Sequence, residues 1–418
     1  MARTERGGDG FVCRLCAGDG CSVVLDLGLL PLANDFVASA DDRRDQHRAP
    51  VVLVMCDDCR LLQLRDLVPP ERLFGTYLWT TSTSAAAREH AARFARGLAE
   101  RHPPDGGRFV VELASNDGLL LRELAAVGYD VLGVEPSNLA DETSAAGIRT
   151  VRAFFAEPVA ASIVADHGRA DVVVARNVLG HVADLRGFLA GVACLLRAGG
   201  TFVVESPCAL FLHHELQYDT VFHEHVSYFT VTTLCDALLR FGLVPEAVDF
   251  VPMNGGSFVC EARLRPGDGI AREPGPPFGP LLAVERVLRL NEVEAWSWFD
   301  AAVAQQRERL VSLLTGLAAA GATVAGYGAA AKTMTMFASC GIGPDLVRVI
   351  ADANPRKQGL LCPGVRIPVV SPDELLRLRP DHVLIGPWNF TAEIAGQLRA
   401  RGYGGELIVP LPVPRLLP

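Results

Sequence analysis

The chain has 418 residues, half of them hydrophobic, with a formal net charge of −9 and a pI near 5.6. This length predicts two or three domains with buried cores, and the acidic balance argues against a nucleic-acid partner, which would select for a basic surface. The N-terminus lacks an apolar signal-peptide core, and no stretch offers about 18 uninterrupted apolar residues. We therefore expect a soluble cytoplasmic protein with no membrane partner.

The first block of the chain, residues 1–74, carries two Cys-x-x-Cys pairs. The four cysteines are Cys13, Cys16, Cys56 and Cys59. Two such pairs fill a tetrahedral shell and leave no open position, which is how structural zinc is held. A block this short has a small core, so the metal would supply much of its folding free energy. A redox dithiol is the main alternative, and Cys21 is a fifth thiol that could compete as a ligand.

The second block, residues 75–264, alternates short apolar runs with segments of helical spacing. The apolar runs predict strands at 108–114, 129–135, 171–177 and 200–205. Strand–helix alternation indicates an α/β fold with a mostly parallel, doubly wound sheet. Ligands of such sheets bind beyond the carboxyl ends of the strands.

Two acids in these strands indicate a cofactor. Glu112 and Glu135 are 23 residues apart, the separation that suits a ribose-binding acid. The loop after the first strand lacks two glycines of the dinucleotide fingerprint, so S-adenosylmethionine, which carries no phosphate, fits better than a dinucleotide. An ordinary strand–helix turn is the alternative. The predicted cofactor-binding residues are Glu112, Ala114, Ser115, Asn116, Asp117, Gly118, Glu135, Pro136 and Asn177.

Residues 218–225 bring two imidazoles and two carboxylates together in the sequence. Such a cluster can transfer a proton near neutral pH, because an imidazole titrates in this range and a neighbouring carboxylate shifts the pKa of that imidazole. At a strand end, His223 and His225 would point to one side. A zinc pair formed by these two histidines is therefore an alternative.

A Pro/Gly-rich stretch at 265–280 marks the start of the third block, residues 265–418. Helical patterns are predicted at 281–294 and 296–320. Further apolar runs predict a second Rossmann-like sheet, with strands near 322–327, 346–352, 382–385 and 406–410.

The first of these strands leads into a glycine pattern. Gly326–Ala331 matches G-x-G-x-x-A and Asp352 lies where a ribose acid would lie, a combination typical of a nicotinamide nucleotide site. Lys332 and Thr333 open the next helix, whose N-terminus could meet an anion. The phosphates of a sugar nucleotide would fit equally well.

Segments throughout the chain resemble, in the same order, the S-adenosylmethionine-dependent C-methyltransferases of deoxysugars. They are the two cysteine pairs, 27–36, 112–118, 222–225, 254–257, 326–332, 352–359 and 387–389. The resemblance implies a zinc-binding domain at 1–74, a methyltransferase domain at 75–264 and a Rossmann-like domain at 265–418. It also implies S-adenosylmethionine and structural Zn²⁺ as cofactors. The substrate would be a dTDP-linked 4-keto-6-deoxysugar bound between the last two domains, and we expect the protein to be a monomer.

Methylation of such a sugar at carbon requires a base that removes a hydrogen next to the ketone, and a group that stabilises the enolate. The resemblance assigns the base to His225, with Glu224 orienting that ring or the sugar. Many members carry Tyr at the position of Phe222, whose ring cannot donate a hydrogen bond. We therefore expect either that Tyr77 or His181 supplies the donor or that the substrate differs.

Trp79 is a second departure, since a Tyr is common at its position. These two changes leave open whether C-3 or C-5 of the sugar is methylated. The expected substrate-binding residues are Phe222, His223, Trp79, Lys332, Arg356 and Lys357, although His223 also fits a structural role. A nicotinamide-dependent sugar oxidoreductase and a non-enzymatic zinc- and nucleotide-binding module are the rival functions.

Overall fold

The computed structural model of the protein describes residues 11–38, 46–74, 80–265 and 273–418. The first block forms three antiparallel strands and a short helix. They are β1 (Cys21–Pro31), β2 (Arg48–Cys56), β3 (Leu62–Leu64) and α1 (Pro70–Phe74). Within the described ranges, no helix combines the length and the apolar character needed to cross a bilayer.

The second block forms a seven-stranded sheet with helices on both faces. Its elements are α2 (Ala85–Arg101), β4 (Phe109–Leu113), α3 (Leu119–Ala126), β5 (Asp130–Val134), α4 (Leu139–Ala145), β6 (Thr150–Val151), α5 (Glu157–His167), β7 (Ala170–Arg176), α6 (Leu185–Leu195), β8 (Leu196–Pro207), α7 (Ala209–His214), β9 (Ser227–Tyr228), α8 (Val231–Leu239), β10 (Leu243–Val251) and β11 (Ser257–Leu264). The strand order is β10-β11-β8-β7-β4-β5-β6. The strands from β8 to β6 are parallel, and β11 and β10 are antiparallel.

Alternate residues of β4 and β7 face opposite helical layers, as the two-residue period of a strand requires. Val110 and Val172 pack with Leu98 and Leu120 of the α2–α3 layer. Their neighbours Val111 and Val173 pack instead into the layer of α5, α6 and α8. Burial on both faces explains why these strands read as continuous apolar runs.

The third block forms a six-stranded sheet. Its elements are α9 (Phe278–Val287), α10 (Phe299–Ala319), β12 (Val324–Tyr327), α11 (Ala331–Cys340), β13 (Ile350–Ala351), β14 (Val369–Val370), α12 (Pro372–Leu378), β15 (His382–Ile385), α13 (Thr391–Ala400), β16 (Glu406–Val409) and β17 (Arg415–Leu417). The strand order is β14-β13-β12-β15-β16-β17, and β17 alone of these runs antiparallel to its neighbour.

Some elements differ from the predicted ones. The helix predicted at 281–294 ends at Val287, because Arg289 adopts a left-handed conformation with a φ of 54°. The two-residue strand β14 and the edge strand β17 were not predicted, because such short strands carry little periodic signal. The segment at 222–226 is a turn rather than a strand end, and β9 begins only at Ser227.

The strand β9 belongs to the first sheet although it lies in the second block. The first sheet has the order β1-β2-β3-β9, with Leu62 opposite Tyr228 and Gln63 opposite Ser227. The cysteine-bearing block is therefore hydrogen-bonded directly to the segment that follows the histidine cluster.

Candidate active site

A cleft of about 620 Å³ receives side chains from all three blocks of the chain. The predicted residues that line it are Glu112, Ala114, Ser115, Asn116, Glu135, Pro136, Asn177, His181, Phe222, Glu224, His225, Lys332 and Lys357. The structure thus brings most of the predicted cofactor and substrate residues to one cavity. Tyr77 and Trp79 lie outside the described residues.

The loop between β4 and α3 forms one wall of the cleft. Ala114, Asn116 and Gly118 all have positive φ angles, of 54°, 51° and 71°. A Cβ atom at Gly118 would lie 2.7 Å from Thr143 Cγ2, so this position requires glycine. Asp117 and Gly118 do not line the cleft: the Asp117 carboxylate accepts from the Ser82 amide at 2.9 Å. These two residues shape the loop, and their positions do not support the prediction that they contact the cofactor.

Glu135 lies at the end of β5, next to this loop. Its two carboxylate oxygens accept from the main-chain amides of Asn116, at 2.8 Å, and Ser137, at 2.9 Å. Each oxygen retains a second lone pair for a ligand hydroxyl. Glu135 therefore supports the loop and can also accept from a ribose.

Glu112 is buried beside Arg176, whose Nη2 lies 3.5 Å from its Oε1. Burial raises the pKa of Glu112 to about 7, and Arg176 partly opposes the shift. Glu112 Oε2, Ser115 Oγ and Arg176 Nε are buried without a protein hydrogen-bond partner. Buried polar atoms normally have partners, so this group is suited to a polar ligand.

His225 lies in the cleft between two other rings. Its centroid is 4.1 Å from that of Phe222 and 4.6 Å from that of His181. Its Nδ1 donates to the main-chain oxygen of Thr220 at 2.9 Å, which leaves Nε2 as the acceptor nitrogen. Burial, the neighbouring His181 and Lys332 hold the pKa of His225 well below its usual range. The ring is therefore neutral at pH 7 and able to accept a proton.

Glu224 points into the same cleft, where 3% of its surface is exposed. Its Oε1 accepts from Asn34 Nδ2 at 2.6 Å. Burial raises the pKa of Glu224 to about 7, against the lowering effects of Asn34 and Lys357. A carboxyl group with this pKa exchanges a proton easily near neutral pH.

His181 contacts both Phe74 and His225 edge-to-face, at centroid distances of 5.7 and 4.6 Å. Burial lowers the pKa of His181 to about 4, against the raising effect of a hydrogen bond to the Glu224 main chain, and its Nδ1 is buried without a partner. A neutral imidazole has one N–H group, which faces a ligand oxygen in the tautomer that carries the hydrogen on Nδ1. His181 is therefore a possible donor to the substrate, as the sequence predicts.

His223 points away from the cleft, and the prediction that it contacts substrate is not supported by its position. Its Nε2 donates to the main-chain oxygen of Ala49 at 3.0 Å, in the first block. The two histidines face different carbonyl groups because 222–226 is a turn, which also argues against a zinc site formed by His223 and His225.

Lys332, at the start of α11, carries its ammonium group among polar and aromatic partners. Its Nζ donates to Asn389 Oδ1 at 2.8 Å and lies 5.3 Å from the centroid of the Trp388 ring. Trp388 Nε1 donates to the buried Asp219 at 2.8 Å. Burial lowers the pKa of Lys332, and Asp219 opposes the shift. These contacts hold the lysine at the cleft.

The other two predicted cations differ in their positions. Lys357 is buried at the cleft, and its Nζ donates to the main-chain oxygen of Ala329 at 2.7 Å. Arg356 lies outside the cleft, where it forms an ion pair with Glu142 at 3.0 Å. The prediction that Arg356 contacts the sugar nucleotide is not supported by this position.

The turn that contains the glycine pattern after β12 is in contact with two other segments of the third block. Asp352 accepts from the amide of Ala329 at 2.9 Å, and a Cβ atom at Gly328 would collide with Pro387. The ring of Pro387 takes the space through which a nicotinamide nucleotide would approach this turn, which argues against such a site. Ala330 and Ala331 nevertheless line the cleft.

Four cysteine side chains converge away from the cleft. Cys13 Sγ lies 3.5 Å from Cys59 Sγ, and Cys16 Sγ lies 3.5 Å from Cys56 Sγ. All four sulfurs lie within 4.8 Å of one another, and they are the one group of three or more metal-binding side chains in the described part of the chain. Sulfurs bound at about 2.3 Å around a tetrahedral zinc ion are about 3.8 Å apart, so the group fits this metal.

Comparison with known proteins agrees with this arrangement in three segments. The family models matched are a zinc binding domain at 13–74, a methyltransferase domain at 85–248 and the C-methyltransferase C-terminal domain at 252–412. The C-methyltransferase NovU of Streptomyces niveus is 34% identical over 407 residues, which are 97% of this chain and 96% of the relative. The chain belongs to this C-methyltransferase family.

Other similarities cover less than half of the chain. A ubiquinone biosynthesis O-methyltransferase of Sinorhizobium medicae is 33% identical over 117 residues, 27% of this chain and 46% of that relative. The crystal structure of an S-adenosylmethionine-dependent methyltransferase from Mesorhizobium loti is 20% identical, with a TM-score of 0.34, and covers 42% of this chain and 99% of its own. The family assignment rests on the full-length relative.

As a C-methyltransferase, the protein uses S-adenosylmethionine as the methyl donor and contains a zinc-binding domain. The unpartnered polar atoms of Glu112, Ser115 and Arg176 fit the polar part of this donor. The carboxylate of Glu135 has lone pairs left that could accept from the hydroxyls of its ribose.

Several cleft residues were not predicted from the sequence. They are Asn34, His90, Arg176, Gln217, Tyr228 and Asn254. Asn254 lies in the segment 254–257 that carried part of the family resemblance, and its Nδ2 donates to Asn177 Oδ1 at 2.8 Å. Asn34 lies in the segment 27–36, which also carried part of this resemblance. The other four carry no motif of their own, and only the fold brings them to the cleft.

Proposed function

We propose that the protein methylates a carbon next to the ketone of a dTDP-linked 4-keto-6-deoxysugar, at C-3, with C-5 as the alternative. The observation that supports this most directly is the neutral His225 ring, whose Nδ1 is held by Thr220 and whose Nε2 is a free acceptor in the cleft. The loop that fits S-adenosylmethionine lines the same cleft.

In this proposal His225 Nε2 accepts the hydrogen next to the ketone as a proton, and the electron pair of the C–H bond becomes that of an enolate. The neutral His181 donates its N–H to the developing negative charge on the ketone oxygen. Tyr77, at the start of the methyltransferase domain, is an alternative donor. When bound, S-adenosylmethionine would supply the methyl group: its sulfur–methyl bond would break as the sugar carbon forms the new carbon–carbon bond, and the sulfur would leave as the thioether.

The sugar nucleotide would lie against the third block. Lys332 and Lys357 supply positive charge at the cleft, and Ala330 and Ala331 line it where α11 begins. The phosphates would be placed at this helix end, because its first amide groups and Lys332 both favour an anion.

The proposed domain boundaries are 1–74, 75–264 and 265–418.

The test is methyl transfer from S-adenosylmethionine to a panel of dTDP-4-keto sugars, with the product mass measured and the methylated carbon located by NMR. We expect a mass gain of one methylene group with at least one sugar of the panel. Methylation at C-5 would correct the position only. A panel without any methylated product, under conditions in which the donor binds, would refute the proposed substrate class.

A further inference from the structure

The block that carries the four cysteines also supplies a side chain to the cleft. Asn34 lies in the connection between β1 and β2, and its Nδ2 donates to Glu224 Oε1 at 2.6 Å across 190 residues of sequence. Both side chains line the cleft. The hydrogen bond therefore joins the first block to the carboxylate beside His225.

Other contacts from the first block hold the main chain of the same segment. The amide of Leu64 donates to the Val226 oxygen at 3.0 Å, and His223 donates to the Ala49 oxygen at 3.0 Å. The strand β3 pairs with β9 immediately afterwards. These contacts place the backbone of 223–228, whereas Asn34 contacts the carboxylate itself.

The main chain at Asn34 is held by hydrogen bonds within its own turn and from Gln46. Its own main-chain oxygen accepts from the Phe36 amide at 3.0 Å, and the neighbouring Asp35 amide donates to the Leu32 oxygen at 3.1 Å. Gln46 Nε2 donates to the Asp35 oxygen at 2.7 Å. These bonds fix the main chain from which the Asn34 side chain extends, and so place its amide group beside one oxygen of Glu224.

The surroundings of Glu224 come from every block. Lys357 of the third block is the cation whose charge acts on this carboxyl group, and the neutral rings of His181 and His225 share its cleft. Asn34 is the uncharged partner from the first block. Since Asn34 occupies Oε1, the second oxygen, Oε2, is left to act in the cleft.

We propose that Asn34 is a positioning residue of the methyl-transfer site, which binds Oε1 of Glu224 and directs Oε2 toward the sugar and His225. This inference rests on the proposed function. It makes the zinc-binding block a part of the active site. Glu224 acts in its ionised form, in which Oε2 accepts from a sugar hydroxyl or stabilises the imidazolium that His225 forms.

The test is the pH profile of kcat for Asn34→Ala and Asn34→Asp beside the wild type. Asn34 stabilises the ionised carboxylate by donating to it, so its loss raises the pKa of Glu224 and moves the acidic limb of the profile to higher pH. We expect kcat at pH 7 to fall about tenfold to a hundredfold in Asn34→Ala, the effect of one hydrogen bond to a charged group. Asn34→Asp, with a second carboxylate, should move the limb further.

The matched control is Asp300→Ala. Asp300 joins the third block to the first, since its Oδ1 accepts from the Asp26 amide at 3.5 Å, but it does not contact Glu224 or the turn that carries Asn34. This variant should keep the wild-type acidic limb. Zinc content and S-adenosylmethionine affinity should remain at wild-type values in all variants, which separates a positioning role from a general loss of fold.

Two outcomes would overturn the proposal. One is an unchanged acidic limb and kcat in both Asn34 variants while the wild type is active. The other applies if the wild type methylates no sugar, so that the proposed function fails. The titration of Glu224 can then be followed by carbon-13 NMR of its labelled carboxyl group, whose signal is assigned with Glu224→Gln. An identical titration in wild type and Asn34→Ala would then refute it.

Discussion

His225 donates from Nδ1 to the carbonyl oxygen of Thr220, and this bond determines which nitrogen of the ring can act as a base. Tyr228 donates its hydroxyl to the same oxygen at 3.3 Å. A carbonyl partner holds the ring without adding a negative charge beside it. Burial keeps the pKa of His225 well below its usual range, against the raising effect of this hydrogen bond, so the ring is neutral and Nε2 is available to accept a proton.

We expect His225→Asn to lower turnover by about 10²–10⁴, the usual contribution of a general base. Both ligands should still bind, because the loop at 114–118 and the contacts of Lys332 do not depend on this ring. If the wild type exchanges the hydrogen next to the ketone with deuterium from solvent, the variant should lose this exchange. Steady-state kinetics and mass spectrometry measure the two effects.

The control for this variant is His214→Asn, which changes an exposed imidazole outside the cleft. It should retain wild-type turnover. Near-normal turnover in His225→Asn together with inactive Tyr77→Phe would move the base to Tyr77.

The cysteine group should hold one zinc ion per chain. We expect Cys56→Ser to lose that zinc and to lower the melting temperature, because the four sulfurs close one shell and the block has a small core of its own. Cys21→Ser is the control: Cys21 lies opposite Cys56 in the β1–β2 pair but is outside the group of four. Metal analysis of protein purified without chelator is the measurement, and zinc-free wild type would contradict the assignment.

Glu135 should contribute to donor binding through its second lone pairs. We expect Glu135→Ala to weaken S-adenosylmethionine binding by about 1–3 kcal/mol, the cost of leaving polar groups unpaired. The affinity of Glu135→Gln should fall between those of the wild type and Glu135→Ala. Its amide group keeps one acceptor oxygen, but its NH2 group would face the N–H of one main-chain amide, so that two donors meet. Calorimetry measures the affinity, and wild-type affinity in Glu135→Ala would exclude a ribose contact.

Local sequence could predict those parts of the site that are formed within a single strand–helix–strand unit or a single tight turn. Glu112 and Glu135 end up at one edge of the sheet because β4 and β5 are parallel neighbours separated by one helix, a unit with a recognisable period. The four cysteines are likewise marked by their spacing within two tight turns.

The contacts that local sequence could not predict join distant segments. The prediction that His223 and His225 point to one side assumed a strand, but the segment turns because β9 pairs with β3 of the first block. Asn34 reaches Glu224 across 190 residues, and Arg356 reaches Glu142 across 214. No periodicity or spacing in the sequence reports such pairings, so the roles of these residues depend on the tertiary fold.

Lys332 and Arg356 offer a paired test of where the sugar nucleotide binds. Lys332 lines the cleft with its ammonium group beside Asn389 and Trp388, whereas Arg356 is paired with Glu142 outside the cleft. We expect Lys332→Met to raise the KM for the sugar nucleotide about tenfold to a hundredfold, the effect of losing a charged hydrogen bond to phosphate. Methionine retains the apolar stem against the indole ring, so the change removes mainly the charge.

Arg356→Ala should leave that KM unchanged, and both variants should bind S-adenosylmethionine as the wild type does, because neither residue contacts the loop at 114–118. Initial-rate kinetics with each substrate varied in turn give the values. A lower kcat with an unchanged KM in Lys332→Met would place the ammonium group at the reacting end of the sugar instead of at its phosphates. An increased KM in Arg356→Ala would show that the nucleotide extends beyond the cleft to the surface where Arg356 meets Glu142.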